Sequence, residues 1–196
     1  MKRIAAALLA LPLLGLLNGC PAVIVGGGAM AVGAIEDRRT TGTMIDDDGI
    51  EVAVRRAVSE RFGENTHVNV TSFNRSVLLT GEVPDAARKA EVEKIVHGIA
   101  NVRTVTNDLQ LAAPTSLAAR SNDSLITARV KTRLLDADKL NPLHVKVVTE
   151  NGVVYLMGIV TEQEANDAVE VARTTGSVIK VVKVFEYCRQ GDGVCK

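Results

Sequence analysis

The chain has 196 residues, 46% of them hydrophobic, enough for one or two small cores. Lys+Arg and Asp+Glu both number 23, aromatics are only 3%, and Trp is absent. Without a net positive charge or stacking side chains, nucleic acid is excluded as a partner class, and any anionic partner must meet a local patch.

Met1-Lys2-Arg3 is a basic start, followed by an apolar run from Ile4 to Leu17. That run is too short to span a hydrocarbon core of about 30 Å as a helix, so residues 1–19 read as a signal peptide. Its end, Leu17-Asn18-Gly19-Cys20, resembles the bacterial lipobox. The resemblance implies that Cys20 becomes the acylated first residue of the mature protein. Pro21 after it, rather than Asp, implies the periplasmic face of the outer membrane. The alternative is a soluble periplasmic protein whose Cys20 follows an ordinary cleavage site. Acyl chains at Cys20 would make attachment close to permanent.

Residues 20–47 read as a lipidated tether. Gly26-Gly27-Gly28 and Gly33 interrupt its first half, and no Lys-Ser/Thr follows to make a phosphate loop. Its mean reach is on the order of 30 Å. Asp46-Asp47-Asp48 precedes an apolar stripe of Ile50, Val54 and Val58, which predicts a helix over about 49–61 with Asp48 as N-cap. His67 to Thr71 alternates as a strand, Phe73-Asn74-Arg75-Ser76 turns, and Val77 to Val83 returns as its hairpin partner. Pro84-Asp85 opens a second helix through Val92, Val96 and Ile99, and Val102, Val105 and Leu109 mark a last strand. The order over 48–112 is α-β-β-α-β.

Residues 113–122, with Pro114 and small polar residues, read as a linker. The same order then recurs over 123–188. Asp123 or Ser124 caps a helix whose Ile126, Val130 and Leu134 match Ile50, Val54 and Val58. His144-Val145-Lys146-Val147 matches His67-Val68-Asn69-Val70, and Asn151 to Val160 repeats Asn74 to Val83. Thr161 to Glu164 starts a helix through Ala165, Val169 and Ala172; Val178, Val181 and Phe185 close the copy. A repeat in register over every element indicates two copies of one small α+β domain, each a mixed sheet packed against two helices.

The helix stripe, Val68 and Val145, the strand ends Thr80-Gly81-Glu82-Val83 and Met157-Gly158-Ile159-Val160, and the closing valines resemble the BON domain. Two such domains behind a lipobox are similar to the dual-BON outer-membrane lipoproteins, the family of division- and outer-membrane-stress-associated lipid-binding proteins. The resemblance implies binding of anionic phospholipid by the second domain, a role in envelope integrity, and enrichment at division sites.

No Gly-x-Ser-x-Gly or other nucleophile context is present, so no enzyme or cofactor is expected. No metal is expected either: the cysteines lack zinc spacing, and Asp46-Asp47-Asp48, which could hold a cation, is better read as helix capping. His67 and His144 sit at equivalent strand starts; a paired site between domains is one reading, a polar strand start the other. The functional expectation falls on the first helix of the second copy. Leu125, Arg129, Thr132 and Arg133 share a face beside its core stripe, with Lys131 on another. A leucine entering the acyl boundary beside guanidinium groups suits an anionic phospholipid membrane, which supplies the phospholipid-binding set. The competing class is a scaffold docking an envelope protein partner. Cys188 and Cys195, seven residues apart in the tail 189–196 and just before it, are expected to form a local disulfide in an oxidising compartment.

Overall fold

The computed structural model describes residues 37–63, 66–137 and 140–195. The expected signal peptide, Cys20 and most of the tether lie outside the described residues. Among those described, no helix is long and apolar enough to cross a membrane.

The first repeat runs α1 (Thr41–Phe62), β1 (His67–Phe73), β2 (Ser76–Val83), α2 (Ala86–His97), β3 (Thr104–Asn107) and β4 (Gln110–Leu111). The second runs α3 (Leu117–Asp136), a 3-10 turn (Pro142–His144), β5 (Val145–Glu150), β6 (Val153–Val160), α4 (Glu162–Arg173) and β7 (Lys180–Tyr187). In each, the hairpin strands pair antiparallel and the last strand returns parallel to the second, as a helical crossover requires. The expected last strand of the first copy is two pieces. Both β3 and β4 pair with β2, interrupted at Asp108-Leu109, where Leu109 turns into the core.

Each copy has its own core. Ile50, Val54 and Val58 close with Val70, Val77, Leu79, Val92 and Val96 in the first. Ile126, Val130 and Leu134 close with Val145, Val154, Leu156, Ala168 and Ala172 in the second. The other faces of the two sheets meet in a third cluster, where Phe73 and Leu78 pack with Tyr155, Met157 and Ile159. That shared layer makes the copies one sheet-on-sheet body with a helix pair on each outer side.

Both leading helices begin earlier than the capping signals suggest. The N-cap of α1 is Thr40, whose Oγ1 accepts from the Thr43 amide at 3.1 Å, and not Asp48, which lies exposed inside the helix. The N-cap of α3 is Ser116, so neither Asp123 nor Ser124 is a cap and residues 117–122 of the expected linker are helical. The reason is that Asp47 and Asp123 have another task. Both sit in the core-facing stripe and are buried at 2% and 5% exposure. Asp47 accepts from the amides of Asn74 and Arg75 at 2.8 and 2.7 Å and from the Ser72 hydroxyl at 2.7 Å. Asp123 accepts from the amides of Asn151 and Gly152, both at 2.8 Å. In each copy a helix carboxylate pins the hairpin turn, where Asn74 and Arg75, or Asn151 and Gly152, hold φ between 49° and 75°.

The repeated glycines are steric requirements. A Cβ on Gly81 would lie 2.1 Å from the His67 carbonyl oxygen, and one on Gly158 2.2 Å from that of His144. The second helix of each copy is capped conventionally. Asp85 accepts from the Arg88 amide at 2.7 Å, and Thr161 forms a reciprocal box with Glu164.

Residues 37–40, expected as tether, pack onto the body. Arg38 donates to both oxygens of Glu164 at 2.7 and 3.0 Å and to the Ile159 carbonyl at 2.8 Å. Arg39 bridges Asp37 and Asp47 and lies 4.1 Å over the Phe73 ring. Partial burial would raise the Glu164 carboxyl, but the Arg38 guanidinium and the Thr161 amide and hydroxyl outweigh it and hold it at about 2. The segment leading from the expected anchor is thereby fastened to the second domain.

Candidate functional site

The helix α3 carries the expected binding face, and its register follows from what it buries. Asp123, Ile126, Val130 and Leu134 turn inward, and Thr127 donates to the Thr149 hydroxyl at 2.7 Å to tie the helix to β5. The opposite side faces solvent. Leu125, Arg129 and Thr132 are all exposed there, Leu125 at 55%. Leu117 and Leu135 are exposed at 79% and 65% and fall on the same outer side, since turns of about 100° per residue place them within about 80° of Leu125. The three leucines stand about 12 and 15 Å apart along the helix axis, a line on its outer side.

Arg133 does not belong with Arg129. Its guanidinium donates to the Val171 carbonyl at 3.1 Å and to the Thr175 and Thr174 hydroxyls at 2.8 and 3.1 Å. It closes the C-terminal end of α4, where carbonyls lack helical partners. Its hydrogen-bond donors hold the two helices together. Among the described residues, neither Arg129 nor Lys131 makes a hydrogen bond or an ion pair, so both cations face solvent uncommitted. Lys131 also lines a cavity of about 390 Å³ with Leu135, Pro142, Leu143 and Phe73.

The sequence reading missed Leu117 and Leu135. Leu117 falls in the expected linker because the helix start is placed at Asp123 or Ser124, and Leu135 is not among the residues singled out from the sequence. The signal that would have found them is Ser116, a capping residue just ahead of a continuous helix-forming run.

The corresponding helix of the first copy is built differently. Thr41–Phe62 carries five acidic and three basic residues, whereas Leu117–Asp136 carries four basic and two acidic. Arg55 pairs with Glu51, Arg56 with Glu60 and Arg61 with Glu91, so the cations of α1 are neutralised in place.

His67 and His144 do not form a shared site; each engages its own carboxylate. Nδ1 of His67 is 2.7 Å from Glu82, and Nδ1 of His144 is 3.4 Å from Glu164. Cys188 and Cys195 are joined by a disulfide that closes the tail, with their Cα atoms 6.0 Å apart.

The BON domain model matches residues 46–113 and 122–189, one match on each repeat. The chain belongs to the BON-domain family. Its first BON domain carries α1 and its second carries α3. It is 39% identical over 173 residues to the outer membrane lipoprotein DolP of Haemophilus influenzae, covering 87% of this chain and 90% of that one. It is also 33% identical to a 21 kDa hemolysin of Actinobacillus pleuropneumoniae, over 77% of this chain and 79% of the relative. The osmotically-inducible protein Y of Escherichia coli K12 is 30% identical, with 72% of each chain covered.

Proposed function

We propose that this chain is a non-enzymatic outer-membrane lipoprotein, anchored at Cys20 on the periplasmic face, that supports envelope integrity by binding anionic phospholipid through its second BON domain. The similarity to DolP and the lipobox support the location. The charge contrast between the two leading helices carries the binding reading. Of two helices of common descent and equal core stripe, only α3 presents unpaired cations beside a row of exposed leucines. Leu117, Leu125 and Leu135 enter the acyl boundary, Arg129 and Lys131 hold lipid phosphate, and Thr132 lies between them. Arg133 contributes by fixing the helix to α4, and not by direct contact. Each cation near an anionic surface adds about 1 kcal/mol, so the face alone binds weakly. Tethering at Cys20 makes a weak face sufficient, because the membrane is always within reach.

Vesicle sedimentation tests this with the chain from Pro21 onward, which lacks the acylated cysteine. Phosphatidylglycerol vesicles should retain the protein in preference to phosphatidylcholine vesicles. Arg129→Glu removes one attraction and adds one repulsion, about 2 kcal/mol, and should lower binding roughly thirtyfold. Equal binding to both lipids, or an unchanged preference in the double variant Leu125→Glu with Arg129→Glu, refutes the assignment. Cys20→Ser should release the full chain from the membrane fraction if that residue is the anchor.

A further inference from the structure

The layer between the two BON domains is apolar at its centre, but one end holds two buried carboxylates. Glu82 of β2 is 3% exposed and Glu150 of β5 is 6% exposed. Among the described residues, no lysine or arginine lies within ion-pair distance of either. Their partners are neutral or weakly basic. Glu82 Oε2 lies 2.7 Å from His67 Nδ1 and accepts from the Thr115 amide at 3.1 Å. Glu150 Oε2 accepts from the Asn69 side-chain amide at 2.7 Å and from the Thr80 hydroxyl at 3.1 Å. The Asn69 amide also reaches Nε2 of His67 at 3.2 Å. Thus two carboxylates share a buried site with one imidazole, and even a protonated ring leaves a negative charge uncompensated. Buried charge on this scale is costly unless it is paired or bound to a metal.

We propose that His67, Glu82 and Glu150 bind a divalent first-row transition-metal ion, of which Zn²⁺ is the best match. One ligand atom from each of the three lies within 4.8 Å of the others, close enough for small side-chain shifts to bring all three onto one ion. A neutral imidazole and two carboxylates balance two positive charges, and one nitrogen with two oxygens is a donor set that Zn²⁺ accepts, with solvent completing the shell. Access exists, because a cavity of about 540 Å³ is lined by His67, Asn69 and Glu150. Arg120 lines the same cavity with its Nε buried and without a hydrogen-bond partner, and among the described residues it forms no ion pair with either carboxylate. Ligation through Nδ1 leaves the ring hydrogen on Nε2, free to bond to solvent in the cavity, while the Asn69 amide keeps its bond to Glu150.

The placement gives the ion a structural consequence. His67 and Glu82 face each other across the first sheet, whereas Glu150 belongs to the second. A bound ion therefore ties the two BON domains at that end of their interface. The corresponding positions in the second copy are His144 and Ile159, so the duplication supplies this site only once. It is independent of the lipid-binding face.

Isothermal titration of the untagged, lipidated chain in detergent, stripped with EDTA, tests the assignment with Zn²⁺ as titrant. The expected result is one saturable Zn²⁺ per chain, weakened at least tenfold by Glu150→Gln and by His67→Gln and unchanged by His97→Ala on the surface of α2. Saturating Zn²⁺ should also raise the melting temperature of the unsubstituted chain. Absence of saturable binding, or binding that survives both substitutions, overturns the proposal. Should either variant fail to fold, ring ¹⁵N resonances of the unsubstituted chain decide: Zn²⁺ must shift those of His67, and unmoved resonances overturn it.

Discussion

Replacing Asp47 by alanine tests the account of how each domain is held together. The carboxylate accepts four hydrogen bonds, from the amides of Asn74 and Arg75, the hydroxyl of Ser72 and the guanidinium of Arg39. Alanine leaves the fully buried Ser72 hydroxyl and two turn amides without an acceptor, while Arg39 keeps Asp37. Each buried orphaned donor costs about 1–3 kcal/mol, and water reaching the partly exposed turn recovers some of it. The expected loss is about 3–5 kcal/mol. For a body of this size each kcal/mol moves the midpoint by about 2–4 °C, so Asp47→Ala should melt about 10 °C lower. Asp47→Asn should recover little, because its amide hydrogens point at donors. Asp48→Ala should cost no more than about 0.5 kcal/mol, since Asp48 is exposed and makes no hydrogen bond among the described residues. Thermal unfolding followed by circular dichroism measures all three. A fall below about 3 °C for Asp47→Ala, or an equal fall for Asp48→Ala, would refute the turn-pinning role and restore Asp48 as the helix cap.

Further outcomes follow from other contacts. Gly81→Ala and Gly158→Ala each force a methyl into a neighbouring carbonyl at about 2 Å and should cost at least about 3 kcal/mol, read as lost soluble yield or lowered melting temperature. Tyr155→Phe removes the bond that its hydroxyl donates to Asp108 at 2.8 Å across the interdomain layer and should cost about 1–2 kcal/mol in denaturant titration. Burial and that bond hold the Tyr155 hydroxyl well above the ordinary phenol range, so its ultraviolet titration should not begin before the protein unfolds. Glu164 is held at about 2, against 4.5 for a free carboxyl. Its contribution is present in full above the free value and disappears as pH falls through about 2, so acid unfolding between those limits should flatten in Glu164→Gln. Arg133→Ala should lower the melting temperature without changing lipid preference, the reverse of Arg129→Glu.

The repeat made most of the fold legible. Apolar spacing located the core faces of both helix pairs and all the hairpin strands, because a buried stripe has no alternative explanation at those periods. What periodicity could not separate was a carboxylate that caps a helix from one that continues the core stripe. Asp47 stands three residues before Ile50 and Asp123 three before Ile126, in phase with the buried positions, and their recurrence in both copies was the available clue. The contact of Arg38 was illegible for a different reason: its partners, Glu164 and Ile159, lie more than 120 residues away. The candidate face was partly legible. Leu125, Arg129 and Thr132 are exposed as their spacing indicates, whereas the fate of Arg133 depended on where α4 ends.

The way the copies pack explains why they were free to diverge on their outer sides. Each sheet gives one face to its own helices and the other to its twin, so Leu78 of one copy meets Tyr155, Met157 and Ile159 of the other. That layer constrains the sheets and leaves the helices outside it. On the first domain α1 is acidic, with its arginines paired along its own surface or to α2. On the second, α3 has fewer acids and carries exposed leucines. On the proposed function, charge would orient the body, since an anionic membrane would repel α1 and attract α3; the Arg38–Glu164 contact fastens the segment before Thr41 to the domain that carries α3. Cutting that contact with Arg38→Glu should leave the lipid preference of the second BON domain intact. It should loosen the leading segment, read as faster proteolysis before Thr41. Unchanged proteolysis would show that the contact does not restrain it.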